Sequence, residues 1–222
     1  MDYTVQPGDT FYLIAQKHGL SLEELQQANP QIQNPTLIFP GQVIKLPDKS
    51  RPQSYEKYRV DEPYPEIKVL GENPYYAQLL YDDYAGQVSE LTAIMQYVHH
   101  HMQMDTHPAW SEVAALQEGI SIIEMKHLEM LGETILLLGG NARYWDGCQQ
   151  PWTPLYVSYH DFDFCAQLRA DIQAEEAAIH NYRNHIQQIQ DPYIQALLAR
   201  IIKDEEHHLR LFRDSLAKHC GG

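Results

Sequence analysis

Cysteine is scarce in this chain, and its few thiols follow no metal-binding pattern. The 222 residues contain three cysteines, Cys148, Cys165 and Cys220, and none belongs to a C-x-x-C motif. A rubredoxin-type iron centre needs four thiolates and is therefore excluded. One cysteine must stay outside any disulfide, and we expect all three to be inert free thiols in a reducing compartment.

Basic residues and long apolar runs are also lacking. There are 16 Lys and Arg residues against 30 Asp and Glu, which gives a formal net charge of −14. This balance argues against binding to nucleic acid or to an anionic membrane surface. No apolar run is long enough to span a bilayer, and the start "MDYTVQPGDT" lacks the features of a signal peptide. The sequence therefore predicts a cytoplasmic protein with no membrane span and no export signal.

The composition predicts two domains joined by a linker. Residues 49–74 contain four prolines and mixed charges, with no sustained helical or alternating pattern. They are interpreted as a linker, whose tyrosines suggest contact with a domain. The predicted domains are then residues 1–48 and residues 75–219.

The N-terminal domain has the pattern of a βααβ module. A strand at Tyr3–Val5 leads into a turn, after which Asp9 or Thr10 can cap a first helix. Ser21 and Glu24 form a capping box for a second helix. A closing strand is predicted from Val43 to Leu46.

This module resembles the LysM family over residues 3–47. The resemblance rests on Tyr3-x-Val5-x-x-Gly8-Asp9-Thr10, Ile14-Ala15, Leu25, Asn29-Pro30, Ile32 and Pro40-Gly41-Gln42-x-Ile44. It implies binding of N-acetylglucosamine polymers such as peptidoglycan, through a groove formed by Gly8, Asp9, Thr10, Asn29, Pro30, Gln31 and Ile32. In the alternative, the turn and the cap need Gly8 and Asp9 even in a module that binds nothing.

The C-terminal domain is helical in period and predicts a mainly α, four-helix bundle. Helix one is expected over residues 76–102, and helix two from Pro108 to just before Gly139-Gly140. After a long crossover, Asp161 is expected to open helix three. Asp191-Pro192 then starts helix four. Short connections within each pair predict two helical hairpins.

Each predicted hairpin carries the same set of buried polar residues. Helices one and three contain the equivalent stretches Glu90-x-x-Ala-Ile-x-x-Tyr97 and Glu175-x-x-Ala-Ile-x-x-Tyr182, while helices two and four contain Glu124-x-x-His127 and Glu205-x-x-His208. A buried charge costs several kcal/mol unless it is paired or coordinates a metal. Four carboxylates and two imidazoles on facing helices suit a pair of iron or manganese ions.

Residues 76–217 resemble the ferritin-like superfamily of dimetal-carboxylate proteins, within the branch of rubrerythrins, manganese catalases and their spore-coat relatives. The resemblance implies that the metal ligands are Glu90, Glu124, His127, Glu175, Glu205 and His208. Asp204-x-x-His207 is an alternative to Glu205-x-x-His208, but it lacks the leucine that follows His127 and His208.

Other residues near this site have weaker predicted roles. Tyr97 and Tyr182 are candidates to donate hydrogen bonds to the ligand carboxylates, although bulky core residues would also stand there. Asp171, one turn before Glu175, is a candidate acceptor for the second ring proton of one histidine. Glu205 is the candidate proton shuttle. The run His99–His101 is predicted to be a solvated helix end.

The resemblance implies an oxidoreductase that acts on hydrogen peroxide or dioxygen. Catalase-like disproportionation needs no external electron donor, whereas a rubrerythrin-like peroxidase does, and the missing C-x-x-C favours the former. A ferroxidase is an alternative. A structural spore-coat protein is another, in which the LysM module docks a metal-binding bundle onto the spore cortex or coat from the cytoplasm. A homo-oligomer is the expected form.

Overall fold

The computed structural model describes residues 2–18, 20, 22–32, 34–46 and 55–221. The chain divides into two compact units, Met1–Gln53 and Ser54–Gly222. None of the helices in the described part of the chain combines the length and the apolar character that crossing a bilayer requires.

The first unit has the predicted βααβ order. Strand β1 (Asp2–Thr4) pairs antiparallel with β2 (Val43–Lys45), and α1 (Phe11–Lys17) and α2 (Leu22–Gln27) lie between them in sequence. The Thr10 hydroxyl caps α1 by accepting a hydrogen bond from Leu13 N. Ser21, the predicted cap of α2, lies outside the described residues. The core of this unit consists of Val5, Phe11, Ile14, Ala15, Leu25, Ile32, Ile44 and Leu46.

The second unit starts earlier than predicted, inside the supposed linker. Glu56–Tyr58 form a 3-10 turn, and the Tyr58 ring packs so closely on Gly119 that a Cβ there would lie 1.8 Å from a ring carbon. The Tyr58 hydroxyl donates to Ala115 O at 3.1 Å. The predicted linker of residues 49–74 is therefore corrected, because residues 55–73 belong to the bundle unit. Residues 49–54 lie outside the described part.

Five α-helices form the rest of this unit: α3 (Pro74–Ala85), α4 (Glu90–Met104), α5 (Ser111–Leu137), α6 (Phe164–Gln188) and α7 (Pro192–Cys220). The prediction of one continuous helix over residues 76–102 is wrong. The Ser89 hydroxyl accepts from Thr92 N and donates to Gly86 O, so a new helix starts immediately after the break. Glu90 consequently occupies the first turn of α4. Asp163 caps α6 instead of Asp161, while Asp191 caps α7 as predicted.

The bundle surrounds a polar middle layer with two apolar clusters. Helices α4 and α5 pack as one hairpin and α6 and α7 as the other, as predicted. One cluster contains Leu131, Ile179 and Leu198, and the other contains Ile120, Leu168 and Phe212. In α5, α6 and α7 the predicted ligands fall between these two sets in sequence. The apolar layers thereby fix the depth at which the polar side chains meet.

A disulfide closes one end of the bundle. Cys165, in the first turn of α6, is bonded to Cys220, the last residue of α7, across 55 residues of sequence. The expectation of three free thiols is therefore wrong for this pair. Nothing in the cysteine spacing indicated it, because the two positions meet only when the α6–α7 hairpin forms. Cys148 is free and exposed.

Candidate metal centre

The six predicted ligands meet in the middle of the bundle. They lie on four different helices, with Glu90 from α4, Glu175 from α6 and a Glu-x-x-His pair from each of α5 and α7. None of the six is more than 3% exposed. They form two overlapping groups of four, and within each group the candidate ligand atoms lie within 4.8 Å of one another.

Two of the glutamates, Glu124 and Glu205, each contact both imidazoles. Glu124 Oε2 lies 2.9 Å from His127 Nδ1, and Glu124 Oε1 lies 2.9 Å from His208 Nδ1. Glu205 Oε1 and Oε2 lie 3.1 Å from the same two nitrogens. The ring centroids of the histidines are 6.2 Å apart. Both carboxylates therefore span the centre in the way that bridging ligands would.

The other two glutamates each serve one side. Glu90 Oε2 is 3.7 Å from His127 Nδ1, and Glu175 Oε1 is 3.7 Å from His208 Nδ1. Each side then offers one imidazole nitrogen, one unshared glutamate and a share of two spanning glutamates. This arrangement has the near two-fold symmetry that the sequence repeat predicts.

The electrostatics of this cluster fit a pair of cations. Burial raises the pKa of Glu90 and Glu175, and the neighbouring Glu205 carboxylate raises both further. Burial lowers the pKa of His127 and His208, but the surrounding carboxylates raise it by more, so the net shift is well upward. Such carboxylates are stable in the interior when they are bound to cations.

The hydrogen-bonding of the carboxylates points the same way. Glu124 Oε1 and Glu205 Oε1 are buried and accept no well-formed hydrogen bond from any residue that the structure describes. Unsatisfied buried oxygens are rare in native proteins and indicate an ion or a water that completes the site. A donor set of carboxylate oxygen and imidazole nitrogen is suited to iron or manganese.

The two predicted tyrosines contact the unshared glutamates. Tyr97 donates to Glu175 Oε1 at 2.7 Å, and Tyr182 donates to Glu90 Oε1. Each tyrosine crosses to the carboxylate of the opposite hairpin, because Tyr97 is in α4 and Tyr182 is in α6. Both hydroxyls are thus placed to orient a carboxylate.

Asp171 does not take the predicted place beside a ligand histidine. Its carboxylate accepts from Gln96 Nε2 at 2.9 Å and from Gln117 Nε2 at 2.5 Å, and lies 2.9 Å from His100 Nδ1. His100 is fully buried, and its Nε2 donates to Ser158 O at 2.8 Å. The prediction of a solvated helix end at His99–His101 is therefore wrong as well.

The carboxylate that holds a ligand histidine is Asp204. Its Oδ2 lies 3.2 Å from His127 Nε2 and accepts from the Tyr64 hydroxyl at 2.6 Å. Its Oδ1 accepts from Val60 N at 2.8 Å and lies 2.9 Å from Arg200 Nη1. Burial raises the pKa of Asp204, but hydrogen bonds from His127 and Tyr64 and the His127 charge lower it by more, well below its usual range.

Sequence reasoning weighed Asp204 only as an alternative ligand. Its position directly before Glu205 was the available signal, because neighbouring residues on a helix project about 100° apart and can flank the same imidazole. The linker tyrosines, Tyr64 among them, suggested contact with a domain, but no sequence signal paired Tyr64 with Asp204. By contrast with His127, His208 Nε2 is buried without a hydrogen-bond partner in the described structure.

A cavity of ≈ 190 Å³ reaches the centre between α4 and α6. Glu90, Glu124, Glu175 and Glu205 line its inner end. Alanines such as Ala93 and Ala174 line its walls, and the α3–α4 break and the crossover residues Tyr156 and Ser158 also border it. A water molecule occupies about 30 Å³ of liquid volume, so the cavity admits only a small substrate.

The LysM groove is only partly lined by the predicted residues. A cavity of ≈ 360 Å³ in this unit has Asp9 and Thr10 in its wall, together with Tyr12, Pro35 and Thr36. Asn29, by contrast, is fully buried: its Nδ2 donates to Leu25 O and Lys45 O. Ile32 belongs to the core.

The other predicted groove residues, Gly8, Pro30 and Gln31, are exposed, and Gly8 has a positive φ of 89°. None of the three, and no residue of the predicted stretch 29–32, is in the cavity wall. Glycan binding by the predicted groove residues stays a prediction, and the cavity beside Asp9 and Thr10 is also lined by Pro35, Thr36 and Ile38.

Comparisons with known proteins cover both units. The LysM domain profile matches residues 3–47 and the ferritin-like domain profile matches residues 87–219. A probable manganese catalase from Clostridium acetobutylicum is 29% identical over 174 residues, which are 69% of this chain and 75% of that protein. The crystal structure of a manganese catalase from Anabaena PCC7120 superposes with a TM-score of 0.64 at 26% identity, over 72% of this chain and 79% of that one.

Two further relatives each match one of the two units. A bacterioferritin from Streptomyces coelicolor is 32% identical over 124 residues, which are 54% of this chain and 69% of that protein. The LysM segment is 48% identical over 48 residues to the spore coat assembly protein ExsA of Bacillus cereus, over 22% of this chain and 8% of that protein. The chain belongs to the ferritin-like family, in its manganese-catalase-like branch, and carries a LysM domain at its N-terminus.

Proposed function

We propose that the bundle binds two ions of manganese or iron and consumes hydrogen peroxide. The proposed ligands are Glu90, Glu124, His127, Glu175, Glu205 and His208. The observation that carries this proposal is the position of Glu124 and Glu205, each with one carboxylate oxygen on either imidazole. The names of the manganese catalase relatives support peroxide as the substrate.

Each residue of the centre has a distinct part in this proposal. The bound metal pair would supply a reversible two-electron change of oxidation state. Tyr97 and Tyr182 fix the unshared glutamates in place by donating hydrogen bonds. Asp204 accepts the Nε2 proton of His127, which leaves the Nδ1 lone pair directed at the centre.

The reaction we favour is disproportionation of peroxide to water and oxygen. It needs no electron-donor partner, which agrees with the lack of a thiolate iron centre in the sequence. Glu205 is more suitable as a shared ligand than as the predicted proton shuttle, because its two oxygens lie equally close to the two imidazoles.

The test combines metal analysis with a product assay. Protein purified without added metal is analysed for manganese and iron, then loaded with each separately and assayed for oxygen release from peroxide. Two manganese ions per chain with oxygen release support the proposal. Glu124→Gln, which keeps the shape of the side chain but weakens a shared ligand, should lose both. Metal binding without peroxide consumption would contradict it.

A ferroxidase is the second candidate, favoured by the bacterioferritin relative. The same six residues would then bind ferrous iron, and dioxygen that enters the same cavity would oxidise it. The two activities separate in one experiment, because a ferroxidase consumes dioxygen when ferrous iron is added, whereas a catalase releases dioxygen when peroxide is added.

For the first unit we propose binding to a glycan that contains N-acetylglucosamine, such as peptidoglycan. The spore coat name of a LysM relative supports a location on the spore envelope, where the bundle would either remove peroxide or act as a structural component. Tyr12 lines the groove and is 58% exposed, so Tyr12→Ala should reduce co-sedimentation with peptidoglycan. Phe39→Ala is the matched control, since Phe39 is 64% exposed and is not in the groove wall.

A further inference from the structure

We propose that Asp83 and His185 form the proton-exchange pair of the substrate cavity, with Asp83 as a catalytic residue that accepts protons from peroxide and returns them. The inference rests on the proposed peroxide chemistry. It concerns residues outside the metal centre, on α3 and near the end of α6.

Asp83 lies in the wall of the cavity, His185 contacts it from behind, and both are nearly closed to bulk water. Asp83 lines the same cavity as Glu90 and Glu175 and is 2% exposed. His185 Nδ1 lies 2.6 Å from Asp83 Oδ2, and His185 is 8% exposed. Asp83 thus faces the space that a substrate would fill, and the imidazole lies behind it.

The break between α3 and α4 is what exposes Asp83 to the cavity. Gln87, Val88 and Ser89, the residues of the break, line the cavity beside it. A continuous helix would carry its own backbone through this space. The break therefore opens the route to the centre and places a carboxyl group beside it.

The charges around the pair allow it to gain or lose a proton near neutral pH. Burial raises the pKa of Asp83 to about 6, although the His185 hydrogen bond and charge lower it. Burial lowers the pKa of His185, but Asp83 raises it by more. Of the other titratable groups around the pair, Asp82 on α3 raises both values, and Tyr182 on α6 interacts with Asp83.

The proposed reaction needs a group that holds protons between its oxidative and reductive half-reactions. Oxidation of one peroxide yields dioxygen, two protons and two electrons, and reduction of the second consumes two protons and two electrons to give two waters. The metal pair, when bound, would hold the two electrons. Of the two protons, one passes from the peroxide oxygen to the Asp83 carboxylate and is shared with His185 Nδ1, and the other passes to water in the cavity, until the second peroxide takes both back.

A second buried pair serves as a comparison within the bundle. His100 and Asp171 have the same chemistry, with 2.9 Å between the imidazole Nδ1 and the carboxylate, but neither lines the cavity. Asp171 also accepts from two glutamine side chains, which hold it in one place. Contact with the cavity is what distinguishes Asp83–His185.

The experiment measures oxygen release by manganese-loaded full-length protein across pH, with metal content determined on each sample. Asp83→Asn should lower kcat by about 100-fold or more, while two ions stay bound. It should also remove the limb of the pH profile that arises from titration of the Asp83–His185 pair. Asp83→Glu, which restores a carboxyl group, should recover part of the rate. Asp214→Asn removes an exposed carboxylate of α7 that is not in the cavity wall, and should stay within about 3-fold of wild type.

A second readout needs no turnover. In metal-free protein, the pKa of His185 measured by NMR should lie above the ordinary histidine value and fall in Asp83→Asn. If Asp83→Asn loses metal, kcat and its pH profile are compared between wild type, His185→Gln and Asp83→Glu, which all keep a carboxyl group at position 83. If wild-type protein consumes peroxide and all these variants do so at the same rate, the role of the pair is overturned and the proposed function stands. A wild type inactive with both metals would overturn both.

Discussion

At the scale of single residues, the two ligand histidines differ in what holds them. His127 is backed by Asp204, which also accepts hydrogen bonds from Tyr64 and Val60 N. His208 Nε2 has no such partner within the described chain. Because a carboxylate behind an imidazole fixes its tautomer and raises its basicity, the two metal positions should differ in affinity.

Asp204→Asn should therefore weaken metal binding on the His127 side. We expect a loss of affinity of about 10–100-fold at one of the two positions, measured by competition with a chelator. The control is Asp214→Asn, which removes an exposed charge from the same helix. Equal weakening at both positions, or none, would contradict the assigned role.

The buried His100–Asp171 pair predicts a pH-dependent contribution to stability. Burial lowers the pKa of His100, but the Asp171 carboxylate raises it by more, so the folded-state pKa exceeds the unfolded value of about 6.5. A raised histidine pKa gives stability that is fully present below the unfolded pKa and is lost as pH rises through the folded pKa.

His100→Gln should thus cost more free energy of unfolding at pH 6 than at pH 9. Denaturant titrations of both metal-free proteins at the two pH values measure this difference. The comparison with wild type cancels the contributions of the other histidines. A cost that does not change with pH would show that His100 is neutral in the folded protein.

At the scale of elements, residues 55–64 pack on α5 through one close approach. Tyr58 lies over Gly119, where a Cβ would meet the ring at 1.8 Å, and Gly132 on the same helix has more room, with Tyr84 at 3.2 Å. Glycine-to-alanine changes within a helix ordinarily stabilise by about 0.5–1 kcal/mol. The contact with Tyr58 should reverse that sign.

Gly119→Ala is expected to destabilise the bundle by about 1–3 kcal/mol, because the Tyr58 ring must leave its site. Gly132→Ala, the matched control, should have a much smaller effect, since the Tyr84 ring needs to shift by only a few tenths of an ångström. Denaturant unfolding of both variants gives the comparison. A stabilised Gly119→Ala protein would mean that the 55–64 segment does not hold this position in solution.

The elements also show what sequence patterns can and cannot predict. The Glu-x-x-Ala-Ile-x-x-Tyr repeat and the Glu-x-x-His repeat together predicted which six side chains would meet, because helical spacing and apolar neighbours determine their face and depth. The break before Glu90 was missed, although Gly86 at the end of α3 and the Ser89 cap of α4 mark it. The linker tyrosines suggested contact with a domain, but the particular contacts were missed because they join distant residues, 57 positions apart for Tyr58 and Ala115 and 140 for Tyr64 and Asp204.

At the scale of the whole molecule, metal binding should stabilise one unit and not the other. A ligand that binds only the folded state at 100 times its dissociation constant adds about 2.7 kcal/mol. For a unit of this size that corresponds to a rise of about 5–10 °C in Tm. The LysM unit has its own core, and none of its described residues belongs to either candidate metal group.

Removal of metal should accordingly lower only the thermal transition of the bundle. Calorimetry of the full chain, before and after stripping with a chelator and again after reloading with manganese, measures it. Glu90→Gln protein should show a reduced response to added manganese. A transition indifferent to manganese and iron would indicate that the cluster binds neither ion tightly.

The Cys165–Cys220 bond makes the α6–α7 hairpin a covalent ring. A protease that cuts once in the turn between Gln188 and Pro192 would leave two fragments joined at the far end of the bundle. Such a nicked molecule would keep the mobility of a full-length chain on a denaturing gel until a reductant releases its C-terminal piece. Resistance to limited proteolysis judged only on non-reducing gels would therefore overstate how intact this protein is.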